Sequence, residues 1–281
     1  MEVIAREVAF SYQKERYEKK AVLEDISFSL EEGTITGLVG KSGSGKTTLL
    51  ELIDALLLPT QGTIQIGQFL LTSDSNRFQL EKVRAKVGLL FQFSEEQFFH
   101  KTVKEELLFR LHLYHYQVEQ AEKRMMEAMA LVGLSLDTLD KNPFSLSFGE
   151  KRKVAIASVL IYNPKVLLFD EPTTGLDSHS KKQFLKLCKI LKHRYHKTIL
   201  IASHDTDFLH AVSDSILVLA KGKIVLSGDK YEVFGKDLQK YGVATPKLIS
   251  FSNKVLKEKQ IKLGYRDDIN DLIKDVYRNV S

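Results

Sequence analysis

The spacing of hydrophobic residues along the chain follows two patterns, alternation typical of strands and the spacing typical of helices. Alternation of apolar and polar residues predicts half-buried strands at residues 2–10 and 22–30. Further short strands are predicted at residues 34–39, 62–67 and 87–91, and short apolar runs at 166–169 and 198–202 are typical of buried parallel strands. Residues 215–219 and 223–226 resemble a closing hairpin.

Helical spacing appears between these strands. A helix is predicted at residues 46–58, after a glycine-rich turn, and Pro59 is expected to end it. Residues 102–133 are rich in Glu, Lys, Met and Leu with almost no helix breakers, so they should be helical. The alternation of strands and helices predicts an α/β fold.

Composition places the chain among ordinary globular proteins. Of its 281 residues, 43% are hydrophobic and 27% are charged, which argues against disordered, collagen-like and coiled-coil classes. The net charge of +5 is compatible with a polyanionic ligand or an anionic membrane surface and diagnostic of neither. The single cysteine, Cys188, excludes a disulfide within the chain and fits a reducing cytoplasm. The start shows no signal-peptide pattern, and apolar runs fall far short of the ~18 residues of a spanning helix.

The character of the sequence changes near Pro246. Residues 254–262 are rich in lysine, and residues 268–276 have helical spacing. We therefore predict one main unit followed by a small helical appendage.

A glycine-rich stretch, Gly-Lys-Ser-Gly-Ser-Gly-Lys-Thr-Thr, occupies residues 40–48 between a predicted strand and a predicted helix. It fits the pattern G-x-x-x-x-G-K-[ST], in which glycines let backbone N–H groups converge on phosphate oxygens. Lys46 would reach the β- and γ-phosphates, and the Thr47 hydroxyl would ligate Mg²⁺. The strand-turn-helix context favours a phosphate site over a flexible turn.

Two acidic residues, Asp170 and Glu171, follow the apolar run at 166–169. Ligands of open α/β sheets bind at the carboxyl ends of such strands. Asp170 can hold Mg²⁺, directly or through water, and Glu171 can orient and deprotonate an attacking water. Alone, the pair could simply cap a turn, but the phosphate loop upstream favours the catalytic interpretation.

Three weaker features complete a recognisable set. Gln92 and His204 each follow a predicted strand, and the stretch Leu-Ser-Phe-Gly-Glu at 146–150 precedes a predicted helix at 151–161. None of them is informative alone, because a histidine after a strand is usually structural. Their order along the chain and their positions at strand ends are what indicate a shared site.

With this set, the chain resembles the ATP-binding subunits of ABC transporters over essentially all of residues 1–235. The resemblance implies a P-loop NTPase of the ABC type, with a mixed sheet, an antiparallel β subdomain and a helical subdomain at about residues 95–160. Residues 236–281 would then form a C-terminal helical extension. It also implies an ATP hydrolase that uses ATP and Mg²⁺.

The same resemblance gives individual residues a role. Glu171 would be the catalytic base, Gln92 the Q-loop glutamine and His204 the switch histidine that contacts the γ-phosphate. Magnesium would be held by Thr47, Gln92 and Asp170. The residues implied to contact ATP are Tyr12, Gly40, Lys41, Ser42, Gly43, Ser44, Gly45, Lys46, Thr47, Thr48, Ser147, Gly149, Glu150 and Asp177. On residue type alone, Tyr12 could equally belong to the core or surface of a sheet.

The signature stretch departs from the family's usual Leu-Ser-Gly-Gly-Gln. Phe148 replaces the first glycine and Glu150 the glutamine, whereas Ser147 and Gly149, which would donate to a γ-phosphate, remain. In this family the signature of one subunit completes the ATP site of the other. The resemblance therefore implies that the departure affects the partner's ATP, and we expect a working but weakened half-site.

A second resemblance narrows the family. The run Phe-Gln-Phe-Ser-Glu-Glu-Gln-Phe-Phe at 91–99, followed by Thr102 and Val103, is similar to that of energy-coupling factor (ECF) transporter ATPases and their cobalt-uptake relatives, with Ser94 at the usual proline position. The Phe-Gln-Phe sequence and the long strand-turn start through Tyr17 resemble the second ATPase subunit of the ECF pair.

The ECF resemblance implies a heterodimer with a sister ATPase, docked on a transmembrane coupling subunit that serves substrate-binding membrane proteins. Vitamins and transition metals are the usual cargo. The chain would lie at the cytoplasmic face of the cell membrane as a peripheral protein, without direct contact with the transported substrate or with nucleic acid. Aromatic residues beside Glu95 and Glu96 suit a groove for a basic amphipathic helix, although a core segment with a charged turn fits equally well.

The resemblance to ABC ATPases leaves three functions open: an importer motor, a soluble ABC-type ATPase acting on ribosomes or DNA, and a nucleotide-binding module without turnover. Soluble members usually carry tandem ATPase halves or a long coiled coil, but the roughly one hundred residues between phosphate loop and signature lack a heptad run. Lys46, Asp170, Glu171 and His204 are all present, which argues against a module without turnover. The sequence favours the importer motor, with a cobalt or nickel uptake ATPase as the nearest alternative.

Overall fold

The computed structural model of this protein describes residues 1–14, 18–113, 117–261 and 263–280, so Tyr17 lies outside the described residues. The strands are β1 (Val3–Lys14), β2 (Glu18–Leu30), β3 (Ile35–Val39), β4 (Gln61–Ile66), β5 (Phe69–Leu71), β6 (Val87–Leu90), β7 (Val166–Asp170), β8 (Thr198–Ala202), β9 (Ser215–Ala220) and β10 (Lys223–Asp229). The helices are α1 (Lys46–Ile53), α2 (Arg77–Arg84), α3 (Val103–Leu113), α4 (Val118–Val132), α5 (Phe148–Leu160), α6 (Ser178–His193), α7 (Thr206–Val212), α8 (Lys230–Phe234), α9 (Lys247–Lys259) and α10 (Ile269–Val280).

Two sheets form the scaffold. The larger sheet has the strand order β10-β9-β3-β8-β7-β6; its pairs are parallel except for the β9–β10 hairpin at the edge. The smaller sheet has the order β2-β1-β4-β5 and is antiparallel throughout. The predicted mixed sheet, antiparallel sheet and closing hairpin are therefore confirmed.

The strands at the centre of the larger sheet are buried on both faces. Along β7, Leu167 and Phe169 pack into one hydrophobic cluster, whereas Val166 and Leu168 pack into another on the opposite face. Because both faces of this strand are covered, every side chain along it is buried, and this explains its continuous apolar run. Cys188 of α6 lies fully buried in the first cluster, and burial raises the pKa of its thiol.

The helix after the glycine-rich turn is shorter than predicted. It ends at Ile53 rather than at residue 58, because Ala55 adopts left-handed backbone angles with φ of 57°. The backbone N–H of Leu56 then donates to the carbonyl oxygen of Glu51 at 2.9 Å, which satisfies one of the carbonyls left free at the end of α1.

The helical prediction for residues 102–133 is wrong in its middle. Gln117 has extended backbone angles, φ −66° and ψ 149°, and stands as the N-cap of α4. The segment therefore contains two helices, α3 and α4, while residues 114–116 between them are outside the described part of the chain. Gly133 ends α4 in the left-handed conformation, with φ of 68°.

The helix that follows the signature stretch begins earlier than predicted, at Phe148 rather than residue 151. Ser147 is its N-cap, and the side chains of Ser147 and Glu150 form a reciprocal capping box with each other's backbone N–H groups. A capping box satisfies two of the free donors at a helix start, so it moves that start to the capping serine.

The C-terminal residues contact the preceding part of the chain at α8 and through α9. The Asp267 carboxylate accepts from the Tyr231 hydroxyl at 2.7 Å and pairs with the Lys230 ammonium at 2.6 Å. Val243 and Ile249 are buried in the first hydrophobic cluster. The boundaries at 1–235 and 236–281 stay predictions.

Candidate phosphate-binding and catalytic site

The glycine-rich loop leads from β3 into α1. Gly45 stands directly before the helix with φ of 107°, a conformation that glycine tolerates. A Cβ on Gly40 would lie 2.3 Å from the carbonyl oxygen of Leu219, so no larger residue fits there without a shift of the backbone. The Lys46 ammonium donates to the carbonyl oxygen of Gly40 at 2.9 Å, which folds the loop around its own lysine.

The start of α1 and the end of β7 meet at a hydrogen bond. The Thr47 hydroxyl donates to the Asp170 carboxylate, with 2.6 Å between Oγ1 and Oδ2. Burial raises the pKa of Asp170 above its ordinary value and the charge of Glu171 raises it further, whereas the Thr47 hydrogen bond and the Lys46 charge lower it. A hydroxyl and a carboxylate, with the amide of Gln92 at the same cleft, are hard oxygen donors of the kind that Mg²⁺ prefers.

Glu171 is held in a strained conformation beyond β7. Its φ is 45°, in the left-handed region that costs energy for a residue other than glycine. Its backbone N–H donates to the carbonyl oxygen of Ala202 at 2.8 Å, which ties it to the end of β8. Strain of this kind persists only where surrounding contacts enforce it, and it often marks a functional site.

The Glu171 carboxylate is bound from the segment after β8. Its Oε2 accepts from the Ser203 hydroxyl at 3.1 Å and lies 2.8 Å from Nδ1 of His204, and its Oε1 accepts from the His204 backbone N–H at 3.1 Å. The Glu171 side chain is 11% exposed, whereas the His204 side chain is 73% exposed. The carboxylate is thus fixed in place, with an accessible imidazole beside it.

These groups share one cleft of about 390 Å³. It is lined by Val22, Ser42, Gly43, Gly45, Lys46, Thr47, Thr48, Gln92, Asp170, Glu171 and His204. The structure therefore brings together the phosphate loop, the acidic pair, the glutamine and the histidine that the sequence singled out separately. Val22 of β2 lines the cleft as well, and the sequence had not singled it out.

Other predicted site residues lie outside that lining. They are Tyr12, Gly40, Lys41, Ser44, Ser147, Gly149, Glu150 and Asp177. The Tyr12 hydroxyl lies 3.2 Å from the Thr48 hydroxyl and donates to the Glu51 carboxylate at 3.4 Å, so Tyr12 stands beside α1 with its ring 42% exposed. Its contact with adenine stays a prediction.

The signature stretch and the loop before α6 lie against each other. A Cβ on Gly175 would approach the Phe148 ring to 3.1 Å. Asp177 caps α6 by accepting from the Ser180 backbone N–H at 2.7 Å, and the pKa of its carboxyl is lowered by that bond. Within one chain, neither segment reaches the cleft of the phosphate loop.

Sequence reasoning misses two residues that support the site, Arg152 and Ser203. Arg152 of α5 donates to the Glu95 carboxylate at 2.7 Å, with both side chains 3% exposed, and its second amino group donates to the Glu171 carbonyl oxygen at 3.3 Å. Ser203 holds the Glu171 carboxylate. Ser203 could have been found from the sequence because it directly precedes His204. No motif near Arg152 points to its role.

The two neighbouring glutamates after Gln92 have different environments in the fold. Glu95 is buried and paired with Arg152, so it does not face a partner, whereas Glu96 is exposed. Phe99, 63% exposed, packs edge-to-face on Phe109 with 5.1 Å between ring centroids.

Two features are absent from the described residues. None of the helices in that part of the chain is long and apolar enough to span a bilayer. Nor do three or more His, Cys, Asp or Glu side chains of residues 1–14, 18–113, 117–261 and 263–280 gather where they could hold a metal ion.

Comparison with solved structures places the fold. The chain is similar to cbiO1 from Clostridium perfringens, described as part of the ABC transporter complex cbiONQ, at 29% identity with a TM-score of 0.75, covering 91% of this chain and 94% of that one. The cassette MJ0796, solved as a dimer bound to ADP and phosphate, is 28% identical with a TM-score of 0.73, covering 81% and 98%.

Sequence comparison gives the family. Residues 23–174 match the family model described as ABC transporter. The energy-coupling factor transporter ATP-binding protein EcfA3 of Oenococcus oeni is 40% identical over 92% of this chain and 90% of its own length. EcfA2 of Streptococcus sanguinis is 36% identical over 92% and 93%. The chain therefore belongs to the ABC transporter family and, within it, to the energy-coupling factor transporter ATP-binding proteins.

Proposed function

We propose that this protein is the ATP-hydrolysing subunit of an energy-coupling factor importer, which powers uptake of vitamins or other micronutrients through partner membrane subunits. One observation carries the hydrolytic role. The Glu171 carboxylate is fixed by Ser203 and His204 in the same cleft as Lys46 and the Thr47–Asp170 pair. A base and a phosphate cradle in one cleft are what hydrolysis of a nucleoside triphosphate requires.

The phosphate loop provides the binding half of the reaction. Lys46 leaves its internal contact with the Gly40 carbonyl to pair with the β- and γ-phosphates. Thr47, Gln92 and Asp170 would hold Mg²⁺, which neutralises charge on the β- and γ-oxygens when bound. Tyr12 of β1, whose hydroxyl lies beside Thr48 of α1, would stack on the adenine.

Glu171 and His204 provide the chemical half. Glu171 accepts a proton from water as that water attacks the γ-phosphorus, and the bond from phosphorus to the β–γ bridging oxygen breaks. The products are ADP and inorganic phosphate. The exposed His204 imidazole lies 2.8 Å from the same carboxylate, where it can contact the γ-phosphate and keep Glu171 oriented.

A second ATPase is needed to complete the site. Ser147, Gly149 and Asp177 lie away from the cleft of their own chain, so in a dimer they would face the nucleotide of the other subunit. The solved dimer of the relative MJ0796 supports such an arrangement. We propose a heterodimer with a sister ATPase.

Membrane subunits would dock near the segment after Gln92. Exposed Phe99 and Phe109 lie there beside exposed Glu96, and this combination suits a basic amphipathic helix of a transmembrane coupling subunit. The protein would then be peripheral, at the cytoplasmic face of the cell membrane. It would touch neither the transported substrate nor nucleic acid.

Copurification tests the importer role. The tagged protein, isolated from detergent-solubilised membranes, is expected to bring a sister ATPase and integral membrane subunits with it. A matched preparation with Phe99→Ala and Phe109→Ala is expected to lose the membrane subunits while keeping the sister ATPase. Recovery of ribosomes or DNA repair factors instead would contradict the importer role.

A further inference from the structure

A second cleft adjoins the phosphate loop and has a volume of about 910 Å³. Three segments form most of its wall: residues 41–44 of the phosphate loop, the hairpin between β9 and β10, and residues 239–242, which follow α8. It shares Ser42 and Gly43 with the catalytic cleft, but neither Lys46 nor the acidic pair lines it. The two clefts are therefore neighbours that present different side chains to a ligand.

Four exposed lysines line this second cleft, which we call the lysine cleft: Lys41, Lys221, Lys223 and Lys240. Among the described residues of its lining, the one carboxylate is that of Glu24, which pairs with the Lys223 ammonium at 3.4 Å. Both side chains of the pair are more than half exposed, so water screens the attraction between them. The wall of the lysine cleft thus carries an excess of positive charge.

Contacts with the protein restrain two of these lysines and leave their charges unneutralised. A Cβ on Gly242 would lie 3.5 Å from Cδ of Lys41, so the Lys41 stem packs against the segment after α8. The Lys240 ammonium lies 5.0 Å from the centroid of the Tyr241 ring. In the described part of the chain, no carboxylate pairs with Lys41, Lys221 or Lys240. Restrained cations lose less conformational entropy when they bind an anion.

The phosphate loop adds a hydroxyl to the same wall. Ser44 lines the lysine cleft and is 6% exposed, and its Oγ has no hydrogen-bond partner among the described residues. A buried donor without an acceptor costs free energy, which an oxygen of a bound anion would offset. Lysine ammonium groups bind phosphate as point charges, and several of them around one cavity suit a ligand with more than one phosphate group.

We propose that the lysine cleft is a second anion site, which binds a polyphosphate beside the catalytic cleft. The ligand is either inorganic polyphosphate or the phosphate chain of a nucleotide, since both present several linked phosphate groups. The site goes beyond the proposed function, because neither Lys46 nor Glu171 takes part in it. Loss of the Lys46 ammonium should therefore leave the site able to bind.

Calorimetric titration of the full-length chain with inorganic tripolyphosphate, without Mg²⁺, counts the sites. The wild type is expected to bind one tripolyphosphate in each cleft. Lys46→Ala should keep the site in the lysine cleft, and Lys221→Gln/Lys240→Gln should keep the site in the catalytic cleft. The variant that combines all three substitutions should bind at neither. Lys182→Gln/Lys189→Gln removes two exposed lysines of α6 and is the matched control, which should bind as the wild type does.

The site that remains in Lys46→Ala should lose affinity by at least about tenfold in the combined variant, because two charged contacts are lost. Titration of Lys46→Ala with GTP distinguishes the two sources: tighter binding of GTP than of tripolyphosphate indicates a nucleotide, and the reverse indicates inorganic polyphosphate. Thermal unfolding checks that each variant is folded. Lack of binding to Lys46→Ala, or binding that survives the loss of Lys221 and Lys240, would overturn the inference.

Discussion

The catalytic cleft and the signature end of α5 each contain a glutamate carboxylate that is bound by a serine, but the two carboxylates are held in different ways. In the cleft, the Glu171 carboxylate is bound by Ser203 and His204, which lie 32 and 33 residues further along the chain. At the signature end, the Glu150 carboxylate is bound by Ser147, three residues before it. One carboxylate is buried and aimed by the tertiary fold, whereas the other is exposed and satisfied by its own helix.

This difference separates a carboxylate that is positioned by tertiary contacts from one that is positioned by a local helix cap. The contacts that hold the Glu171 carboxylate do not use the Lys46 ammonium, the group that would pair with the phosphates. The contact between Ser147 and Glu150 uses the hydroxyl and the backbone N–H of the capping serine itself. Four variants sharpen the contrast, from the strongest expected effect to the weakest.

Arg152→Met should have the largest effect on stability. It leaves the Glu95 charge buried without its partner, and breaking a buried pair in this way costs about 3–5 kcal/mol of the free energy of unfolding. Urea unfolding measures the loss. The double variant Glu95→Leu/Arg152→Met should recover much of it, because no unpaired charge remains. A loss in Arg152→Met below about 1 kcal/mol, the level of an exposed pair, would show that the pair is not structural.

Lys46→Ala should remove nucleotide binding with little effect on the fold. The ammonium that would pair with the phosphates is lost, and we expect ATP affinity to fall by about 100-fold, or ~2.7 kcal/mol. Equilibrium titration with a fluorescent ATP analogue measures this change. Lys123→Ala is the matched control, since Lys123 is an exposed lysine of α4 that has no place in the site. Retained affinity in Lys46→Ala would contradict the phosphate-loop assignment.

Ser203→Ala should slow hydrolysis while leaving substrate binding intact. The serine donates to Glu171 without lining the cleft, so its loss should lower kcat by about tenfold, with KM nearly unchanged. Steady-state ATPase assays of the assembled complex separate the two constants. Ser158→Ala, at a buried serine of α5 that donates to Ala155, controls for burial alone. An equal decrease in kcat in both variants would contradict a role for Ser203 in positioning Glu171.

Ser147→Ala should have the smallest effect on stability. It removes the N-cap of α5 and half of the capping box, which costs about 1 kcal/mol. In a chain of this size the expected fall in Tm is a few degrees, about 2–4 °C. Differential scanning calorimetry can resolve that change. A loss as large as that of Arg152→Met would mean that the signature end is part of the core.

Most of the strands and the motifs could be predicted from the sequence, because each depends on residues that are close together along the chain. A wholly apolar run such as that of β7 reports burial directly, and the phosphate loop needs its residue types at fixed spacing. The breaks at Ala55 and Gln117 carry no such signal, since alanine and glutamine are both good helix formers. Arg152 and Glu95 are 57 residues apart, so their pairing exists only once the sheet has brought α5 to the segment after Gln92.

The central claim is that Glu171 is the base of an ATP-hydrolysing cleft. ATP hydrolysis by the assembled complex carrying Glu171→Gln, with ATP binding measured on the same preparation, tests it most directly. We predict that turnover falls by about 10²–10⁴-fold while ATP affinity stays within about threefold of the wild type. Unchanged hydrolysis would contradict the claim.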